Sequence, residues 1–118
     1  MSTMPYNRGD VVLVLFPESN LVTAKRRPAL VVQADNLGTG LAQTLVAMIT
    51  SNPARAGHPS RVAVFRASTE GREMGLRTDS VVMTDNLATI LEREIDRVIG
   101  RCPLMRQVDA ALRHTLGL

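Results

Sequence analysis

A mainly β chain ending in one helix is what the sequence predicts, in the form of a small barrel or strongly curved sheet closed at one side. Two observations carry this. Five short runs rich in Val, Leu and Ile recur at intervals of about 10 to 15 residues with turn residues between them, and only the C-terminal segment shows helical spacing.

The first run, Val11 to Phe16 (VVLVLF), lies between Gly9-Asp10 and Pro17 and reads as a strand buried on both faces. The polar stretch PESNLVTAKRR follows, with turn-forming Pro17 and Ser19-Asn20, and predicts a long exposed loop ending in three cations. Ala29 to Gln33, Thr44 to Ile49, Arg61 to Phe65 and Ser80 to Thr84 supply four further strands. Between Ala88 and Gly100 the charges have helix-like spacing but apolar anchors are few, so strand, short turn, strand is expected. From Pro103 to Leu116, Leu104, Met105, Val108, Ala111, Leu112, Thr115 and Leu116 recur at steps of three and four, with Pro103 suited to the first turn and Gly117 to the stop.

With 118 residues, 45% apolar and 21% charged, residues 1–118 are expected to form a single domain with an ordinary core. Phe16, Phe65 and Tyr6 are the only aromatics, which argues against base stacking on aromatic platforms. The net charge of +3 mildly favours an anionic partner. All basic residues but Lys25 are Arg, a bias that suits phosphate and equally a GC-rich genome. A lone Cys102 excludes an internal disulfide and a multi-cysteine zinc site, and points to a reducing cytoplasm. No apolar run approaches the ~20 residues of a membrane span, and MSTMPYNRGD has no apolar stretch of a secretory signal.

His58 and His114 stand in unrelated segments without ligand spacing, and no Walker loop, GxSxG or strand-following GxGxxG occurs. What remains are three polar clusters at strand ends. Lys25-Arg26-Arg27 meets Pro28 where loop becomes strand; fixed there, a guanidinium can recognise phosphate and stabilise growing negative charge, but three cations at a strand edge also serve simply to discourage aggregation. Thr50-Ser51-Asn52 places hydroxyls at a strand rim, or starts a turn before Pro53. Arg77-Thr78-Asp79-Ser80 opens the fifth strand, or forms an entry turn with a surface ion pair.

In order and spacing, GDVV, KRRPALVV, MITS and DSVV resemble the MazF/PemK toxins, from Gly9 to Leu118. The resemblance implies an SH3-like barrel with a terminal helix, a homodimer, and metal-independent, cofactor-free cleavage of single-stranded RNA to 2′,3′-cyclic phosphate and 5′-OH ends. It implies Arg27 and Thr50 as the catalytic pair, Arg27 stabilising the pentavalent phosphorane and taking part in proton transfer, Thr50 donating to a phosphate oxygen. Lys25, Arg26, Ser19, Asn20, Ser51, Asn52, Arg77 and Asp79 become expected RNA contacts. The implied partner is a MazE-like antitoxin whose acidic tail occupies the RNA groove. Two departures stand out: ESNLVTAK lacks the glycines common in that loop, and DNLATI carries Ala88 where many members have Arg. The alternatives are a gyrase poison resembling CcdB, and a catalytically silent RNA- or antitoxin-binding module.

Overall fold

The computed structural model describes residues 5–17 and 24–118. Its strands are β1 (Asp10–Pro17), β2 (Ala24–Val31), β3 (Gln43–Thr50), β4 (Arg61–Val64), β5 (Ser80–Leu91) and β6 (Ile95–Arg101), and its helices α1 (Thr69–Glu73) and α2 (Met105–Leu116). A single 3-10 turn, Glu92–Glu94, joins β5 to β6, the strand, turn, strand expected there. All strand pairs are antiparallel, in the order β4-β5-β3-β2-β1-β6. The hydrogen-bonded ladder is therefore open between β4 and β6 and does not close as a barrel.

The alternation of side chains along each strand sorts the apolar residues into two clusters. Val12, Val14, Ala29, Val31, Val46, Met48, Ile90 and Ile95 form one; Val11, Leu30, Ala47, Ile49, Val82 and others form the second, which Met74 and Val108 join from the helical side. Adjacent Val11 and Val12 are both fully buried, which is the two-sided burial that the uninterrupted run VVLVLF implies. The helix α2 covers the second cluster with Val108, beside Leu104, Met105 and Leu112, and stops at Gly117, whose φ of 71° is the left-handed conformation of a helix terminator. Pro103 lies just before the helix, not in its first turn.

Three boundaries differ from the sequence reading. Lys25, Arg26 and Arg27 are inside β2, paired with Phe16, Leu15 and Val14; backbone pairing with β1 overrides their polar, loop-like composition. Strand β5 runs on to Leu91 because β3 pairs with it on both sides of a register shift, at Val81–Met83, where β4 flanks the other edge, and again at Leu87–Leu91. The five-residue α1, capped by Ser68 Oγ accepting from the Gly71 N–H, is too short to leave a periodic signal.

Strand β6 carries two register shifts against β1. Leu13 faces Arg97 while Val14 faces Ile95, and Val11 faces Gly100 while Val12 faces Val98, so Asp96 and Ile99 are extra residues in the ladder. Such bulges bend a strand and re-aim its side chains. Here they direct β6 toward the end of α1, where Gly75 approaches the Ile99 carbonyl so closely that an added Cβ would lie 2.1 Å from its oxygen.

Candidate functional site

Between β2, the end of β3, the entry to β5 and the bulged β6 lies a groove of about 760 Å³. Leu13, Ile49, Leu76 and Ile99 provide its apolar floor, and Lys25, Arg26, Arg27, Arg77 and Arg97 its cations, while among the described residues no carboxylate is part of its lining. A cleft lined by one sign of charge above an apolar floor focuses its field on an anionic ligand. Two of these cations are tethered: Arg26 Nε and Arg97 Nη1 both donate to Asp96 Oδ2, at 2.9 and 3.2 Å. Among the described residues no ion pair engages Lys25, Arg27 or Arg77.

The hydroxyls of the groove are not equivalent. Thr78 Oγ1 donates to the Asp79 carbonyl and Ser80 Oγ to the Thr78 carbonyl, so their protons are committed to the turn. Thr50 Oγ1 instead accepts from the Asn52 N–H at 3.1 Å. That contact fixes the oxygen and leaves its own proton to be donated into the groove. The turn after β3 that holds it is built by the next residue pair, Asn52 Oδ1 accepting from the Ala54 N–H at 3.0 Å.

Of the residues singled out in the sequence, Arg27, Thr50, Lys25, Arg26, Ser51 and Arg77 line this one groove. Asn52 and Asp79 do not: Asn52 shapes the turn behind Thr50, and Asp79 Oδ1 accepts from the Arg66 N–H at 2.9 Å. Ser19 and Asn20 lie outside the described residues. His58 is also elsewhere, in T-shaped contact with the ring of His114, the centroids 5.9 Å apart. Sequence reasoning missed Arg97, Ile99 and the Gly75-Leu76 wall. The charge spacing of LEREIDRVIG reads as a solvated face, and nothing in it announces the bulges that bring Arg97 to the groove.

Two groups with displaced titration also lie away from the groove. The Arg61 guanidinium, bonded to Asp85 at 3.1 and 3.2 Å, holds that carboxyl below the usual carboxylate range. Burial pushes the Cys102 thiol up. Both belong to the scaffold. Among the described residues no group of three or more His, Cys, Asp or Glu is arranged to hold a metal ion, and no helix is long and apolar enough to cross a membrane.

Residues 7–116 match a family described as PemK-like, MazF-like toxin of type II toxin-antitoxin system. The chain is 39% identical over 107 residues to Endoribonuclease MazF2 of Mycobacterium bovis, covering 88% of this chain and 90% of that one. Endoribonuclease MazF6 of Mycobacterium tuberculosis matches to the same extent. Among solved structures, a mycobacterial endoribonuclease in complex with its cognate antitoxin superposes with a TM-score of 0.72 over 96% of each chain at 23% identity. The MazE-MazF complex of Deinococcus radiodurans gives a TM-score of 0.72 over 96% of each chain at 20% identity. At those identities the likeness speaks to the fold.

Proposed function

We propose, since this chain belongs to the PemK-like, MazF-like toxins of type II toxin-antitoxin systems, that it is an endoribonuclease toxin cutting single-stranded RNA in the cationic groove. The observation that carries the reading is the meeting of Arg27 and Thr50 in that groove, with a hydroxyl proton left for a ligand. Single-stranded RNA fits because its phosphates answer the cations and its bases are free to be read at their edges.

In the proposed reaction the ribose 2′-oxygen attacks the adjacent phosphorus. The bond from phosphorus to the 5′-oxygen breaks, leaving a 2′,3′-cyclic phosphate and a 5′-OH. Negative charge grows on the equatorial oxygens of the phosphorane, where Arg27 supplies paired donors and Thr50 a single one; donors aimed at developing charge are worth about 10²- to 10³-fold each in rate. A guanidinium holds its proton too tightly to be a good base, so Arg27 acts mainly through its charge; the 2′-OH proton leaves to water in the open groove, and the departing 5′-oxygen takes a proton from water to become the 5′-OH. No metal or cofactor enters this scheme.

Of the solved structures named above, one is an endoribonuclease in complex with its cognate antitoxin and the other is MazE-MazF, and the same cations suit the acidic tail of a MazE-like partner, which would block RNA by occupying its place. We place the toxin in the cytoplasm, as one domain acting as a homodimer. The test is to incubate wild type, Arg27→Ala and Thr50→Ala with a long single-stranded RNA in excess EDTA and to map the fragment ends. Cleavage by wild type alone, with cyclic phosphate ends, is expected. Intact RNA with all three proteins, or equal cutting by all three, refutes the assignment; intact RNA together with inhibited DNA supercoiling would move the gyrase-poison reading to the front.

A further inference from the structure

The cleavage scheme leaves one arrangement in the groove unused. Arg26 comes from β2 and Arg97 from β6, on either side of β1, yet both donate to the same oxygen, Asp96 Oδ2. Two guanidiniums converging on one oxygen form a clamp for an anion. The clamp exists because Asp96 is the extra residue of the first β6 bulge, next to Arg97, which faces Leu13. Both arginine side chains remain 57% exposed, and ion pairs so open to water are weak and easily exchanged. A phosphate offers more oxygens to the same donors and accepts paired N–H bonds from each guanidinium.

We infer that Arg26 and Arg97 form a second phosphate subsite, taking an RNA phosphate that flanks the scissile one, and that Asp96 fills this subsite in the free protein as an internal competitor. This rests on the reading that the groove receives RNA. Asp96 is then a positioning residue with two opposed effects: it keeps the guanidiniums converged, and it lowers net affinity, because RNA must displace it.

The test is binding of a fluorescent, mixed-sequence 2′-O-methyl RNA, which lacks the nucleophilic hydroxyl, followed by anisotropy across a salt series with the full chain. Arg97→Ala is expected to weaken binding about fivefold, alike for different sequences, and to make the slope of log K against log salt shallower by about 0.7, the loss of one phosphate contact on a single strand. Arg97→Lys restores the slope but not the whole affinity, since the charge returns without the paired donors. Asp96→Asn is expected to tighten binding about threefold, an effect that vanishes in the Arg26→Ala/Arg97→Ala background.

A wild-type slope and affinity in Arg97→Ala overturn the subsite, as does Asp96→Asn weakening binding as much as Arg97→Ala. If wild type still cuts RNA under either result, the ribonuclease reading stands without the subsite. A wild type that neither binds nor cuts RNA overturns both. Thermal melts of each variant, expected to match wild type because these side chains lie at the surface, exclude loss of fold as the cause.

Discussion

Replacing Gly75 with Ala tests whether the groove wall depends on a backbone contact. Gly75 has φ +71°, and a Cβ added there would sit 2.1 Å from the Ile99 carbonyl oxygen, 2.9 Å from the Ile99 carbonyl carbon and 3.4 Å from the Ile99 Cβ. No rotamer change relieves the first two contacts, because both atoms are backbone. Left-handed φ costs an alanine about 1 kcal/mol, and forced repacking adds roughly 2 kcal/mol more. At roughly 4 °C per kcal/mol for a domain of this size, the melting temperature should fall by about 12 °C. Gly40→Ala is the matched control: its φ is +74° but an added Cβ meets nothing within 4 Å, so only the conformational part, about 4 °C, is expected. Melting followed by far-UV circular dichroism reads the difference. Should the two variants melt within about 2 °C of each other, the close approach of Gly75 to β6 is not what sets that wall, and the reasoning fails.

Other consequences are as direct. Arg77→Ala should make the salt dependence of RNA binding shallower by about 0.7, whereas Asp79→Ala should leave that slope alone and lower the melting temperature by roughly 3 °C through the lost Arg66 N–H bond; a changed slope in Asp79→Ala would return that residue to the RNA contacts. Because the folded Asp85 carboxyl is held low chiefly by its hydrogen bond from Arg61, the stability it contributes is present above the usual carboxylate range and is lost as pH falls through the lowered value. Wild type should thus melt higher than Asp85→Asn at neutral pH, and the gap should close on acidification below about pH 4. Burial raises the Cys102 thiol and leaves the residue only 6% exposed, so iodoacetamide at mildly alkaline pH should label it slowly until denaturant is added; rapid native labelling would place the thiol at the surface.

The parts of this protein that repeat a simple period were readable in its sequence. The β-branched runs marked β1, β3 and β4, and the three- and four-residue steps from Leu104 marked α2, because burial of one face imposes those patterns. Motif order brought Arg27, Thr50 and Arg77 under consideration together, and the groove unites them. What escaped depends on partners supplied by other segments of the chain. Lys25 to Arg27 look like loop until β1 is there to pair with them. Arg97 looks like one charge among several until a register shift, which leaves no mark in composition, sets it opposite Leu13. Asp79 resembles a ligand contact because a carboxylate near Arg77 reads the same whether it faces solvent or accepts from a backbone N–H 13 residues earlier in the chain, as it does from Arg66.

The bulge at Asp96 also bears on how such a protein can change. In a regular strand, loss of one residue reverses the facing of every side chain beyond it. Loss of Asp96 would do the opposite, because Ile95 and Arg97 already face Val14 and Leu13, which are neighbours in β1. A deletion of a single codon there heals the ladder, spares the buried Ile95 and removes the tether on Arg26 and Arg97 in one step. The outer strand is thus a place where insertions and deletions, and not only substitutions, supply heritable variation in how strongly the groove holds its anion, while the core beneath it is left as it was.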